Sequence, residues 1–113
     1  MFMNKKELIS FEEFLEIEKK LEIKMGTIKE CAPVPKSKKL LKLLVVFDTD
    51  EVIVVTNIGD KIDYEELKNK TLPFIVNLNP VTIMGIESKA MIMVGRDIND
   101  KIDINLGNNS ILL

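Results

Sequence analysis

The stretch "LLKLLVVFDTDEVIVVTNI", residues 40–58, decides the fold. Two apolar, β-branched runs flank "DTDE", a short acidic break. Val, Ile and Phe suit a half-buried pleated surface, so the pair reads as an antiparallel hairpin. The neighbouring segments are placed relative to it.

Upstream, "PVPKSKK" is a loop, because its two prolines remove backbone donors and its three lysines call for water. Before it, "LEIKMGTI" alternates Leu21, Ile23 and Met25 with Glu22, Lys24 and Gly26, the pattern of a strand. Gly26 inside that pattern predicts a bulge or a sharp bend. Earlier still, Ser10 is followed three residues later by Glu13, a capping box, and Phe11, Phe14, Leu15 and Ile17 supply the apolar face of a short helix. Downstream, "DYEELKNK" offers Asp63 as a cap with Glu66 three residues on, which predicts a second short helix. "TLPFIVNL" and "AMIMVG" read as two more strands, with the segment Asn79–Lys89 as the loop between them. "KIDINL" adds a further strand in the tail. The closing Ile111, Leu112 and Leu113 either fold back on the barrel or are covered by a second copy.

The expected fold is therefore mainly all-β. It is a five-stranded Greek-key barrel of the OB type with a short N-terminal helix, a helix between strands 3 and 4, and a C-terminal extension. A five-strand sandwich is the rival arrangement, and the inserted helix and Gly26 favour the barrel. The 113 residues suit a single domain, 1–113, with enough core to need no staple.

Composition narrows the function. Cys31 is the only cysteine and there is no histidine, so no internal disulfide, metal site or cofactor is expected, and a cytoplasmic location fits. "MFMNKKELIS" is too polar for a secretory signal, and no apolar run approaches the ~18 residues of a membrane span. No Ser–His or Cys–His pair, phosphate loop or dinucleotide turn is present, which points away from an enzyme. The net charge of −2 hides an uneven distribution. Residues 29–47 hold five lysines against Glu30 alone, whereas 48–70 hold three lysines against seven acids. The basic segment centres on "PVPKSKKLLK".

Together "IKMGTIKE", "PKSKKL", "VVTNIGD", "YEELKNK" and "PFIVNLNPVTIMGIESKAMIMVG" resemble the tRNA-binding OB domain, over about Ser10 to Gly95. "VNLNPVTIMGIESKAM" is similar to that family's most specific signature. The family includes a free structure-specific tRNA-binding protein, domains and β subunits of methionyl-tRNA synthetases, synthetase-complex cofactors and a chaperone-like secretion protein. The chain departs from the pattern where Asn79, Thr82 and Met84 replace usual basic residues, Val34 a histidine, Lys38 an acid and Ala90 a glycine.

The resemblance implies a tRNA partner, a homodimer, and a short form that works alone or as a β subunit with a methionyl-tRNA synthetase catalytic subunit. In an OB barrel the strand 1–2 and strand 4–5 loops flank one ligand groove. Asn77, Gly85, Ser88 and Met91 match the family and are carried over as groove-lining, and Lys39 matches its loop lysine. Lys36, Lys38 and Lys89 are added from charge, and Met84 as deformable apolar surface for bases. The same residues have plainer uses. Asn77 and Ser88 satisfy backbone groups in turns, Gly85 makes a turn, and methionines fill cores. The alternative function is a chaperone-like peptide-binding protein using the same groove, since methionine-rich surfaces accommodate varied apolar partners.

Overall fold

Alternation along residues 41–47 shows why the hairpin forms. Leu41, Leu43, Val45 and Phe47 are buried, Lys42 is exposed, and Leu44 and Val46 are half-buried. One face of the strand therefore meets a core and the other meets solvent. The computed structural model describes residues 6–97 and 99–104, together with the backbone of Ile111–Leu112.

The elements run in the order α1 (Phe11–Lys20), β1 (Ile23–Pro33), β2 (Leu41–Phe47), β3 (Asp50–Thr56), a 3₁₀ turn (Tyr64–Leu67), β4 (Thr71–Ile75), β5 (Val81–Ile83), β6 (Ile86–Ser88), β7 (Met91–Ile92), β8 (Gly95–Arg96), β9 (Ile102–Asp103) and β10 (Ile111–Leu112). The main sheet has the order β3-β2-β1-β4-β7 and is antiparallel throughout.

β1 curls this sheet. Its first half, Ile23–Thr27, pairs with β4, and its second, Thr27–Pro33, pairs with β2, with a register shift between Ile28 and Glu30. The irregularity predicted at Gly26 thus falls a few residues later. Gly26 itself supplies clearance, since a Cβ there would sit 2.6 Å from both the Phe47 ring and a Val45 methyl. Phe47 in turn meets Phe74 edge-on, with ring centroids 5.3 Å apart. Ile28, Leu43, Val54, Leu67 and Val94 complete a fully buried centre.

The expected helix between strands 3 and 4 is a single 3₁₀ turn, capped by Asp63, which accepts the Glu65 N–H at 3.2 Å. It places Leu67 in the core as a plug. The Asn69 N–H donates to the Ile28 carbonyl at 2.7 Å, and the Ile28 N–H to the Lys70 carbonyl at 2.8 Å, which ties the turn to the bulged part of β1.

Closure of the barrel is irregular. Among the described residues β7 pairs with β4 alone, and the gap to β3 is bridged by the Lys89 N–H, which donates to the Ile53 carbonyl at 3.1 Å, and by Ser88. The Ser88 hydroxyl accepts the Val55 N–H at 2.9 Å and faces the Ala90 carbonyl at 3.3 Å. The result is a five-stranded sheet curled into an OB-type half-barrel.

At the chain's end, β8 lies between β9 and β10 in a small antiparallel sheet. Arg96 and Lys61 both reach Asp100, at 3.2 and 2.9 Å. The strand expected from "KIDINL" is the short β9. The backbone of Ile111–Leu112 folds back against Gly95–Arg96, while Leu113 lies outside the described residues.

α1 begins as its sequence predicts, with the Ser10 hydroxyl accepting the Glu13 N–H at 3.1 Å and acids in the first turn facing the helix dipole. The helix buries none of its residues. Phe11 and Phe14 stack on each other in the open, although phenylalanines in such patterns usually read as core.

Candidate functional site

The lysine-rich segment is a built turn. Val34 is buried and anchors it, receiving the Ser37 N–H on its carbonyl at 3.1 Å and donating its own N–H to the Leu40 carbonyl at 2.9 Å. The Ser37 hydroxyl accepts the N–H groups of Lys39 and Leu40. The Gly59 N–H holds the Lys39 carbonyl at 2.7 Å, an approach that a Cβ on Gly59 would block. The backbone is thereby fastened while Lys36, Lys38 and Lys39 stand exposed, and none of the three forms an ion pair with a described residue. Such an arrangement is a fixed patch of positive charge with little backbone left to order on binding.

Asn79–Lys89, expected as a loop, is a β-hairpin. β5 and β6 pair Val81 with Ser88, Thr82 with Glu87 and Ile83 with Ile86. The turn is Met84-Gly85, with φ of +48° and +79°, the pattern of a type I′ turn. Gly85 is needed for its conformation and not for space, since a Cβ there would meet nothing within 4 Å. Met84 has no such freedom, and holding it left-handed costs about 1–2 kcal/mol. Its side chain is nevertheless 56% exposed at the hairpin tip.

The hairpin separates two clefts. On one side, a cavity of about 420 Å³ lies between it and the end of the lysine turn, bounded by Leu40, Asn57, Leu78, Asn79, Val81 and Met91 among others. On the other side, about 440 Å³ separates Gly85, Ile86 and Lys89 from the face of β2 and β3 at Lys42 and Ile53. The same Lys42 and Ile53 border a further hollow of about 500 Å³ with Cys31, Leu44 and Lys68. The first cleft has largely aliphatic walls, the other two mix aliphatic with charged side chains such as Lys42, and no aromatic ring lines any of the three.

Against this geometry the expected site residues divide. Lys36, Lys38 and Lys39 sit on the turn that ends at the first cleft. Met84, Gly85 and Lys89 belong to the hairpin, with Lys89 also 3.7 Å from Glu87. Met91, in register with Ile75, lines the first cleft. Asn77 points elsewhere. Its carbonyl oxygen accepts the Glu22 N–H at 2.8 Å and its amide donates to the Lys20 carbonyl, which pins the end of α1 beside the end of β4. Ser88 borders the first cleft, and its hydroxyl accepts the Val55 N–H and donates to the Ala90 carbonyl.

Lys42 was counted in the basic segment but not assigned to the site, and Lys68 was not singled out. The outward alternation of Lys42 between buried Leu41 and Leu43 was the available signal for the first, and Lys68 carried none. Burial raises the thiol of Cys31 to about 11, so at neutral pH it stays protonated and is a poor nucleophile. Asp100 is held below the usual carboxylate range, chiefly by its hydrogen bond from Lys61, and braces the C-terminal sheet.

A small half-barrel with a basic turn and a projecting hairpin beside one cleft defines a ligand-binding module of the OB class. Residues 23–109 match the family model described as "Putative tRNA binding domain", and the chain belongs to that family. The methionine–tRNA ligase of Archaeoglobus fulgidus is 37% identical over 91 residues, covering 80% of this chain and 13% of that protein. The enzyme of the same name from Methanosphaerula palustris is 40% identical with the same coverage. This chain thus spans about an eighth of the length of those curated relatives. Among solved structures, the MetRS-related protein of Pyrococcus horikoshii superposes with a TM-score of 0.74 at 32% identity, covering 96% of this chain and 90% of that one. The CsaA chaperone protein of Picrophilus torridus superposes with a TM-score of 0.68 at 22% identity, covering 94% and 99%, a likeness of fold.

Proposed function

We propose that this chain is a non-catalytic tRNA-binding module that acts in the cytoplasm as a β subunit or accessory factor of methionyl-tRNA synthetase, holding tRNA between the lysine turn and the hairpin. The observation that carries the reading is the shared cavity, bordered by Leu40 at the end of the turn and by Val81 and Ile83 of the hairpin. Lys36, Lys38, Lys39 and Lys89 supply phosphate contacts, and Met84, Gly85 and Met91 supply surface for sugar and base. Asn77 and Ser88 shape the groove from behind. Without aromatic walls, recognition leans on the shape and charge of a folded RNA more than on stacking along a strand.

Two copies act together in this proposal. Phe11, Phe14 and Ile17 of α1, with Leu21, Ile23 and Met25, are all exposed apolar residues that a symmetric partner would cover. Paired grooves then raise avidity without new contacts.

Titration of tRNA at several salt concentrations tests the reading. With four phosphates neutralised per groove, log K falls against log salt with a slope of about −3 to −4, and K38A/K39A makes the slope shallower by about two. Salt-independent binding, or none, overturns it. The second reading, capture of unfolded polypeptide, is favoured by the exposure of Val81, Met84 and Met91. An unfolded chain that displaces tRNA with little salt dependence would put it first.

A further inference from the structure

The Asn77 and Ser88 side chains already bridge backbone groups, which fixes their orientation, and Asn77 is not among the residues bordering the first cleft. Two other amides stand at that cleft. Asn57, just beyond β3, and Asn79, just before the hairpin, both border the cavity and are both exposed. Neither side chain makes a hydrogen bond to another described residue. Each presents a donor and an acceptor together, the pairing that an amide offers to the edge of a nucleobase.

The rest of the cleft has the matching chemistry. Leu40, Leu78, Val81, Ile83 and Met91 give it apolar sides. Its volume of about 420 Å³ lies within the roughly 300–1,000 Å³ typical of small-molecule sites. Leu40 follows directly on Lys38 and Lys39, whose turn is fixed by Ser37 and Gly59, so positive charge is held at the rim of an uncharged slot. An anion attached to a flat, apolar-faced ring with polar edges is complementary to all three features.

We infer that this cleft receives one unpaired nucleobase of the bound RNA, its faces clamped between the aliphatic walls, its edge read by Asn57 and Asn79, and its phosphate met by the lysine turn. Apolar side chains grip extruded bases in this way where aromatic rings are absent. The inference rests on the RNA reading above and adds a discriminating element to it. Lysines alone would bind any strand, whereas a slot with two amides distinguishes one base from another.

Nuclear magnetic resonance on the isotope-labelled full chain tests it, with the four nucleoside monophosphates and ribose phosphate as probes. At least one nucleotide shifts the side-chain amides of Asn57 and Asn79 and the methyls of Leu78 and Val81, and ribose phosphate leaves these methyls unmoved. Filling the slot with V81W abolishes the shifts. N57A/N79A, which leaves the walls intact, weakens tRNA binding about tenfold with the salt slope unchanged, since no phosphate contact is lost.

If no nucleotide moves these resonances while V81W binds tRNA as the wild type does, the slot is overturned and the RNA reading stands. If an apolar peptide moves them and nucleotides do not, the occupant is polypeptide and the inference fails. If tRNA does not bind at all, the underlying reading fails with it.

Discussion

The Val55 N–H donates to the Ser88 hydroxyl at 2.9 Å in a buried position, which latches β3 to β6 where regular strand pairing is absent. A residue of the family-like signature thereby holds the hairpin against the barrel. Replacing it by alanine leaves a buried N–H without a partner, at a cost of about 1–3 kcal/mol. S88A therefore lowers the denaturant midpoint and speeds hydrogen exchange at the Val55 amide, and it weakens RNA binding without changing its salt slope. A variant that loses RNA affinity at wild-type stability and exchange would show that Ser88 acts by direct contact.

Met84 at a left-handed position predicts a trade between stability and binding. Asparagine tolerates that conformation far better, so M84N relieves about 1 kcal/mol of strain and raises the denaturant midpoint at unchanged slope. The same change removes an exposed apolar side chain from the hairpin tip, so RNA affinity falls as stability rises. Affinity unchanged in M84N would mean that the strained methionine contributes nothing to binding.

Lys42 stands where two hollows meet on the outer face of β2 and β3. RNA that follows both crosses it, and K42A then makes the salt slope shallower by about 0.9. An unchanged slope confines the RNA to the lysine-turn side of the hairpin.

Asp100 gives the protein an acid sensitivity of known sign. Its carboxyl titrates below the usual range because Lys61 and Arg96 favour its charged form. It therefore stabilises the fold above the ordinary carboxylate pKa, and this contribution disappears as pH falls through its own lower value. D100N is less stable than the wild type near neutrality, and the gap closes in acid, as measured by denaturant melts across pH. A gap that persists at the lowest pH would assign the loss to packing.

Short-range features were legible in the sequence. Ser10 and Glu13 marked the start of α1, and Asp63 marked the 3₁₀ turn. The β2–β3 hairpin was written in alternation and a turn of its own. The β5–β6 hairpin was not, because its left-handed turn is made by Met84-Gly85 and lacks the asparagine that usually announces such a turn.

The sequence by itself determined which segments extend, which bend and where positive charge gathers. These depend on side-chain shape and on neighbours a few residues away. Tertiary structure alone decided how the polar side chains with partners distant in sequence are used. Asn77 is committed to Lys20 and Glu22, and Ser88 to Val55, while Asn57 and Asn79 remain open to a ligand. A hydroxyl or amide bonds to whatever the closed barrel brings within about 3 Å, and partners 33 or 55 residues distant along the chain become neighbours only when β3 meets the hairpin and α1 meets the end of β4.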